Sequence, residues 1–162
     1  MTYKTGELIR CISRKCKMRA RFKQGIYTPR NPKKYVGKPP IIYRSKLEKT
    51  FFDWLDKNTK VLDWTSESVV IPYIHPKDGK YHRYFVDCTC TILNDKNVPE
   101  KFLIEVKPSK QTQPPSKRLK PKNYLYESYQ FKINYSKWHY AKEWADKNGY
   151  KFIIVTENFF KN

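Results

Sequence analysis

Apolar residues recur along this chain in two rhythms. Between residues 45 and 59 they fall at helical spacing, with Leu47, Phe51, Trp54 and Leu55 on one face. Ser45-Lys46-Leu47-Glu48 has the S-x-x-E pattern of a capping box. A helix is therefore expected from Ser45 to about Asp56–Thr59. The rhythm then becomes strand-like. Ser68 to Ile74 is β-rich, and His75-Pro76-Lys77-Asp78-Gly79 supplies a hairpin turn, with Asp78-Gly79 its strongest part. A return strand is expected from Tyr81 to Leu93, a turn at Asn94–Asn97, and a third strand from Lys101 to Val106, stopped by Pro108. Tyr124 to Phe131 reads as an aromatic helical stretch, and Ser136 to Asn148 as a clearer helix ending at Gly149. Lys151 to Thr156 reads as a last strand. The predicted order is helix, three antiparallel strands, one or two helices, then a strand.

Two segments stand outside this pattern. Residues 28–42 hold four prolines and a glycine and read as an extended linker. Residues 108–122 carry five Lys/Arg and no acid, and a loop so long and charged within a compact domain is usually functional or disordered.

Charge changes the picture most. The 162 residues hold 34 Lys/Arg against 15 Asp/Glu, a formal net charge of +19. Such a balance points first to a polyanion, most often nucleic acid. Residues 1–40 contribute 12 of the basic residues and one acid, Glu7. The reading is a basic extension and linker over 1–40, carrying Ile9, Ile12, Met18, Phe22, Ile26 and Tyr27 and so expected to fold back or order on a partner, before a domain over 41–162. Aromatics make up 16% of the chain, which excludes a wholly disordered protein. Val69–Ile74 and Phe152–Val155, the longest apolar runs, are too short to span a bilayer, and Met1 to Glu7 has no apolar leader core. A cytoplasmic start is expected, with Cys11, Cys16, Cys88 and Cys90 reduced. A zinc site from C-x4-C and C-x-C is the weaker reading of those four; Cys88 and Cys90 share one strand face, where buried cysteine is ordinary.

Candidate chemistry lies in three places. Asp87 follows Tyr84-Phe85-Val86 in an apolar strand, where an unpaired carboxylate costs several kcal/mol. Glu105 and Lys107 alternate around Val106 and so share a face at the end of the next strand. Glu48 stands on the preceding helix, within reach if that helix packs on the sheet. Three carboxylates and a lysine at one sheet end suit phosphodiester hydrolysis. Hard oxygen ligands would take Mg²⁺, with Mn²⁺ the alternative, and the lysine would orient or deprotonate water or stabilise developing charge. Bland readings stay open: Glu48 as a cap, Arg44 as its ion-pair partner, Glu-x-Lys as a chance match. For phosphate contact the candidates are Arg44, His82 and Arg83 on the hairpin, and Lys110, Gln111, Gln113, Lys117, Arg118 and Lys120 in the basic loop.

Helix Glu, strand Asp and adjacent-strand Glu-x-Lys, in this order, resemble the PD-(D/E)XK nuclease superfamily. Val86 stands where that motif usually has proline. A longer string resembles the head-completion nucleases of tailed bacteriophages: Asn31 to Gly37, Tyr43-Arg44-Ser45, Glu48, Trp64, Ser66-Glu67, Ile71-Pro72-Tyr73, Asp78-Gly79, His82 to Phe85, Ile104 to Pro108, Gln111 to Pro115, Lys151-Phe152 and Thr156-Glu157. It covers about residues 30–160. The core is also similar to the nuclease subunit of a bacterial transposase that cuts transposon ends.

The resemblance implies an α/β fold with a restriction-endonuclease-like core, a central mixed β-sheet flanked by helices in the order α-β-β-β-α-β. It implies a Mg²⁺-dependent DNA endonuclease that processes or holds packaged double-stranded DNA ends before tail joining, in the host cytoplasm or carried into the virion, beside portal or neck proteins and no membrane. Glu48, Asp87 and Glu105 would be metal ligands with the carbonyl of Val106, and Lys107 the catalytic lysine. Two other readings stay open: a transposon-end nuclease subunit, and a non-catalytic basic protein that binds DNA or seals a portal.

Overall fold

The computed structural model describes residues 24–161. The basic arm up to Lys23, with Cys11 and Cys16, lies outside the described residues.

The centre is a four-stranded sheet. Its strands are β3 (Val61–Ser66), β6 (Cys88–Leu93), β7 (Pro99–Val106) and β8 (Lys151–Val155), in that spatial order. β3, β6 and β7 pair antiparallel, and β7 and β8 pair parallel. A parallel pair needs a long crossover, here the helix α2 (Pro121–Asn148). Gly149 ends it in the left-handed conformation at φ 74°, its N–H donating to the carbonyl of Ala145.

Each sheet face has its own apolar cluster. The helix α1 (Lys46–Lys57) lays Leu47, Phe51, Phe52 and Leu55 against Val61, Trp64, Cys88, Cys90, Phe102, Ile104 and Val106. On the opposite face Ala141 and Ala145 of α2 meet Leu103 and Phe152. Alternation along β7 does the sorting: Phe102, Ile104 and Val106 face α1, and Leu103 faces α2. Glu105 and Lys107 continue the α2 row. This is the expected α/β core of mixed sheet and flanking helices. Among the described residues no helix is long and apolar enough to cross a membrane.

Several elements differ from the sequence expectation. Strand β3 went unread because its register shifts between Val61 and Asp63, so Val61 and Trp64, three apart, both turn inward. That spacing hides the period of two. The segment Ser68–Leu93 is not two core strands. β4 (Val70–Ile74) and β5 (Tyr81–Phe85) form a separate hairpin, closed by Gly79 at φ 65°. The chain then bends at Val86–Asp87 and enters β6. The hairpin folds over the α2 face through Ile71, Tyr73 and Tyr84. The two helical stretches after residue 121 are one helix of 28 residues, started by Pro121 in its first turn.

Residues 25–43, expected mainly as linker, hold structure. β1 (Gly25–Tyr27) pairs antiparallel with β2 (Ile41–Tyr43), and Tyr27 joins the α1-side cluster. The fully buried Asp56 at the end of α1 fastens this segment. Its carboxylate accepts from the N–H groups of Arg30 at 2.7 Å and Asn31 at 3.0 Å. Its carbonyl accepts from the Asn31 side chain at 2.9 Å and from Lys34 Nζ at 3.1 Å.

Candidate active site

The break between the hairpin and the main sheet makes the site. Asp87 sits in that bend, not deep in a strand as its apolar neighbours had implied. Its carbonyl accepts from the N–H of Glu67, and its Oδ2 accepts from the N–H of Val106 at 2.7 Å. That bond caps the β7 edge where β6 has left it. Oδ1 accepts no hydrogen bond from a described residue.

Glu105 is nearly inaccessible, with 3% of its side chain exposed. One oxygen accepts from the Tyr84 hydroxyl at 2.6 Å, and the other pairs with Lys107 Nζ at 2.8 Å. The alternation expected of Glu105-Val106-Lys107 is thus realised. Val106 packs its side chain into the opposite cluster and gives its N–H to Asp87.

Glu48 reaches the same sheet end from α1. Ser45 caps this helix, its Oγ accepting from the Glu48 N–H at 3.1 Å and donating to Glu48 Oε1 at 2.9 Å. Glu48 Oε2 accepts from the Arg44 N–H at 2.7 Å. The capping role is therefore real, and it holds the carboxylate near enough for its charge to act on Asp87 and Lys107. A carboxylate oxygen has lone pairs beyond one hydrogen bond, so capping leaves it able to bind a cation.

The four groups act on one another electrically. Burial raises the Asp87 carboxyl well above the usual aspartate range, Glu105 and Glu48 raise it further, and Lys107 and the Val106 N–H only partly oppose them. Burial by itself would lower Lys107, but Glu105, Asp87 and Glu48 together hold it above the ordinary lysine value. Lys107 is thus an ammonium at neutral pH. Three carboxylates act on one lysine at this sheet end, and their chemistry suits a divalent cation with hard oxygen ligands, although their oxygens do not all lie within 4.8 Å of one another as they stand.

Other forecast residues fall around this centre unevenly. Arg44 is at the rim, forked onto Glu67 at 2.8–3.1 Å, and its pKa is raised by those bonds and by the charges of Glu67, Glu48 and Asp87. Lys110 pairs with Glu127 of α2 at 2.8 Å. Gln111 lies in a 3-10 turn, Ser109–Thr112, that Glu157 anchors through the Ser109 N–H at 2.7 Å. Gln113, Lys117, Arg118 and Lys120 are exposed along the following loop. Arg83 is exposed on the outer face of the hairpin over the Phe85 ring. His82 is at the far end of that hairpin, bonded to Asp78 at 2.9 Å.

His75, Asp78 and His82 carry metal-ligand atoms within 4.8 Å of one another. Yet the two imidazoles are stacked, 4.6 Å apart at 30°, and His75 Nδ1 already accepts from the Lys77 N–H. Planes so nearly parallel converge far beyond the roughly 2 Å of a metal–nitrogen bond. The trio reads as the clasp of the hairpin. Cys88 and Cys90 are buried in the α1-side core, and burial pushes both thiols up, so they pack as neutral side chains.

Two residues of the site escaped the sequence reading. Tyr84 is a core aromatic whose hydroxyl also holds Glu105. Glu67 adopts φ 48°, rare for a residue with a side chain. It joins Arg44 to the Asp87 bend, and the sequence names it only within the Ser66-Glu67 piece of the resemblance.

A four-stranded mixed sheet between two helices, in the order α-β-β-β-α-β with a hairpin inserted before its second strand, is a restriction-endonuclease-like α/β domain. The chain belongs to the TnsA-like endonuclease family, whose N-terminal domain model matches residues 58–157. It is 43% identical over 140 residues to the head completion nuclease of Enterobacteria phage T4, a match spanning 83% of this chain and 91% of that one. No solved structure matches it significantly.

Proposed function

We propose that this protein is a metal-dependent DNA endonuclease of phage head completion. It hydrolyses phosphodiester bonds and processes or holds packaged DNA ends before the tail joins. The observation that carries this is the convergence of Glu48, Asp87, Glu105 and Lys107 at one sheet end of a strongly basic chain. The relative spanning nearly the whole chain favours the phage role over a transposon-end role.

Glu48, Asp87, Glu105 and the carbonyl of Val106 would hold Mg²⁺, or Mn²⁺ in its place. When bound, the ion supplies Lewis acidity toward the phosphate and its attacking water. Tyr84 and the Val106 N–H keep Glu105 and Asp87 oriented. Lys107, charged and partly buried, stabilises negative charge developing on the phosphate. Arg44 and the loop residues Lys110, Gln111, Gln113, Lys117, Arg118 and Lys120 contact DNA phosphates around this centre, and Arg83 and His82 contact them farther out along the hairpin. The work takes place in the host cytoplasm during assembly, against portal or neck proteins.

The test is cleavage of linear and supercoiled duplex DNA in Mg²⁺ or EDTA. Cutting should need the ion, and Asp87→Ala, Glu105→Ala and Lys107→Ala should each lower it at least about a hundredfold while leaving DNA binding. Retained cutting in these variants would overturn the site. Tight, salt-sensitive binding with no cutting by the unaltered protein would favour the non-catalytic DNA-binding reading.

A further inference from the structure

Lys137 stands where the helix pattern asks for an apolar residue. It belongs to the row Ile133–Lys137–Ala141–Ala145, and residues four apart share a helix face. Ala141 and Ala145 are fully buried against Leu103 and the hairpin residues Tyr73 and Tyr84, and Ile133 is partly buried with them. Lys137 therefore points into the same layer. Its Nζ lies 5.6 Å from the centre of the Tyr73 ring and 5.4 Å from that of Tyr84. Tyr84 is the residue that holds Glu105.

The surroundings of this ammonium are unbalanced. Burial pulls its pKa below the usual lysine value, and the charges of Glu105, Lys107 and Asp87 all reach it. Among the described residues no carboxylate pairs with it, whereas Lys107 is fastened to Glu105. The faces of two aromatic rings return only part of what this partial desolvation costs the ammonium. A methionine would fill the same aliphatic path without that cost. A cation kept here is completed by an anion that arrives from outside.

We propose that Lys137 grips a backbone phosphate of the substrate DNA on the α2 wall of the site, next to the phosphate served by Lys107. This rests on the nuclease reading for the identity of the ligand. The two lysines then divide the work: Lys107 is tied to the carboxylate cluster, and Lys137, held only by ring faces, positions the strand.

The experiment measures duplex DNA binding against salt in EDTA, for the full chain and for Lys137→Met and Lys137→Arg, each also on an Asp87→Ala background. One phosphate contact contributes about 0.9 to the slope of log K against log salt, or roughly fivefold in affinity near 0.15 M. Lys137→Met should lose that slope and affinity in both backgrounds, and Lys137→Arg should keep most of both. The thermal midpoint of Lys137→Met should hold or rise, because a desolvated charge has been removed. An unchanged slope in Lys137→Met, or a lowered midpoint with unchanged binding, would overturn the proposal and leave the nuclease reading standing. An unaltered protein that bound no DNA would overturn both.

Discussion

Replacing Tyr84 by phenylalanine removes one oxygen and tests how the hairpin governs the site. The ring stays in place, edge-on to Tyr73 at 6.3 Å. What is lost is the 2.6 Å hydrogen bond to Glu105 Oε2. Burial and the neighbouring Glu105 hold the phenol well above its ordinary pKa, so it is a donor at every working pH. A hydrogen bond to a buried charged group contributes about 1.5–3 kcal/mol. No solvent screening reduces this here, because both residues are buried. In a chain of this length that lowers the melting midpoint by roughly 3–12 °C. Glu105 would keep only Lys107, so its carboxylate should swing toward the lysine and cleavage should fall chiefly in kcat. The assay is a melt in EDTA together with a double-mutant cycle against Glu105→Gln. A coupling of about 1 kcal/mol or more is expected for groups in direct contact. A midpoint within about 1 °C of the unaltered protein, with additive effects in the cycle, would refute the link.

Three further outcomes follow from the structure. Asp56→Ala strips the acceptor from the Arg30 and Asn31 N–H groups and should lower stability by roughly 3–5 kcal/mol in a chemical melt, releasing the β1–β2 segment to protease. Because Asp87 is raised by burial and by Glu105, the folded chain holds its proton more tightly than the unfolded one. Metal-free stability should therefore fall as pH rises from about 3.9 through the raised value, and melts in EDTA should show Asp87→Asn losing that fall; a difference between the two proteins that stays flat with pH would refute it. Deleting residues 1–23 removes Lys4, Arg10, Arg14, Lys15, Lys17, Arg19, Arg21 and Lys23, and should flatten the salt dependence of DNA binding; an unchanged slope would mean that the arm touches no phosphate.

What could be read from the chain follows from how local each signal is. Helix α1 was visible because its cap, its apolar stripe and its length agree with one another. Glu105 and Lys107 were visible because alternation is rigid over three residues. Asp87 was found for a partly wrong reason: it is not buried in a strand but placed where one sheet hands the chain to another. No local pattern marks that bend, since Tyr81 to Leu93 keeps its strand-forming composition throughout. Strand β3 was hidden by its bulge. Asp56 was hidden because its partners, Arg30 and Asn31, lie 25 residues or more away and use their backbone N–H groups, which carry no residue signature.

The separate hairpin explains why the acid cluster can exist in a folded chain. Glu105 belongs by position to the α2 face, where Leu103 is wholly buried, and an uncompensated carboxylate there would be strongly destabilising. Its compensation comes from two directions. Lys107 arrives from two residues further along, just past the end of β7, and Tyr84 from the hairpin laid over that face. The same hairpin forces the bend that sets Asp87 against the end of β7, so that the aspartate accepts the Val106 N–H. Were β5 to run straight into β6 instead of pairing with β4, Asp87 would fall in a ladder and Glu105 would lack the Tyr84 hydroxyl. The acid cluster of the core is thus stabilised by an element that contributes none of its four charges, and substitutions at Tyr84 or Ile71 should reach Glu105 and Asp87 through that support.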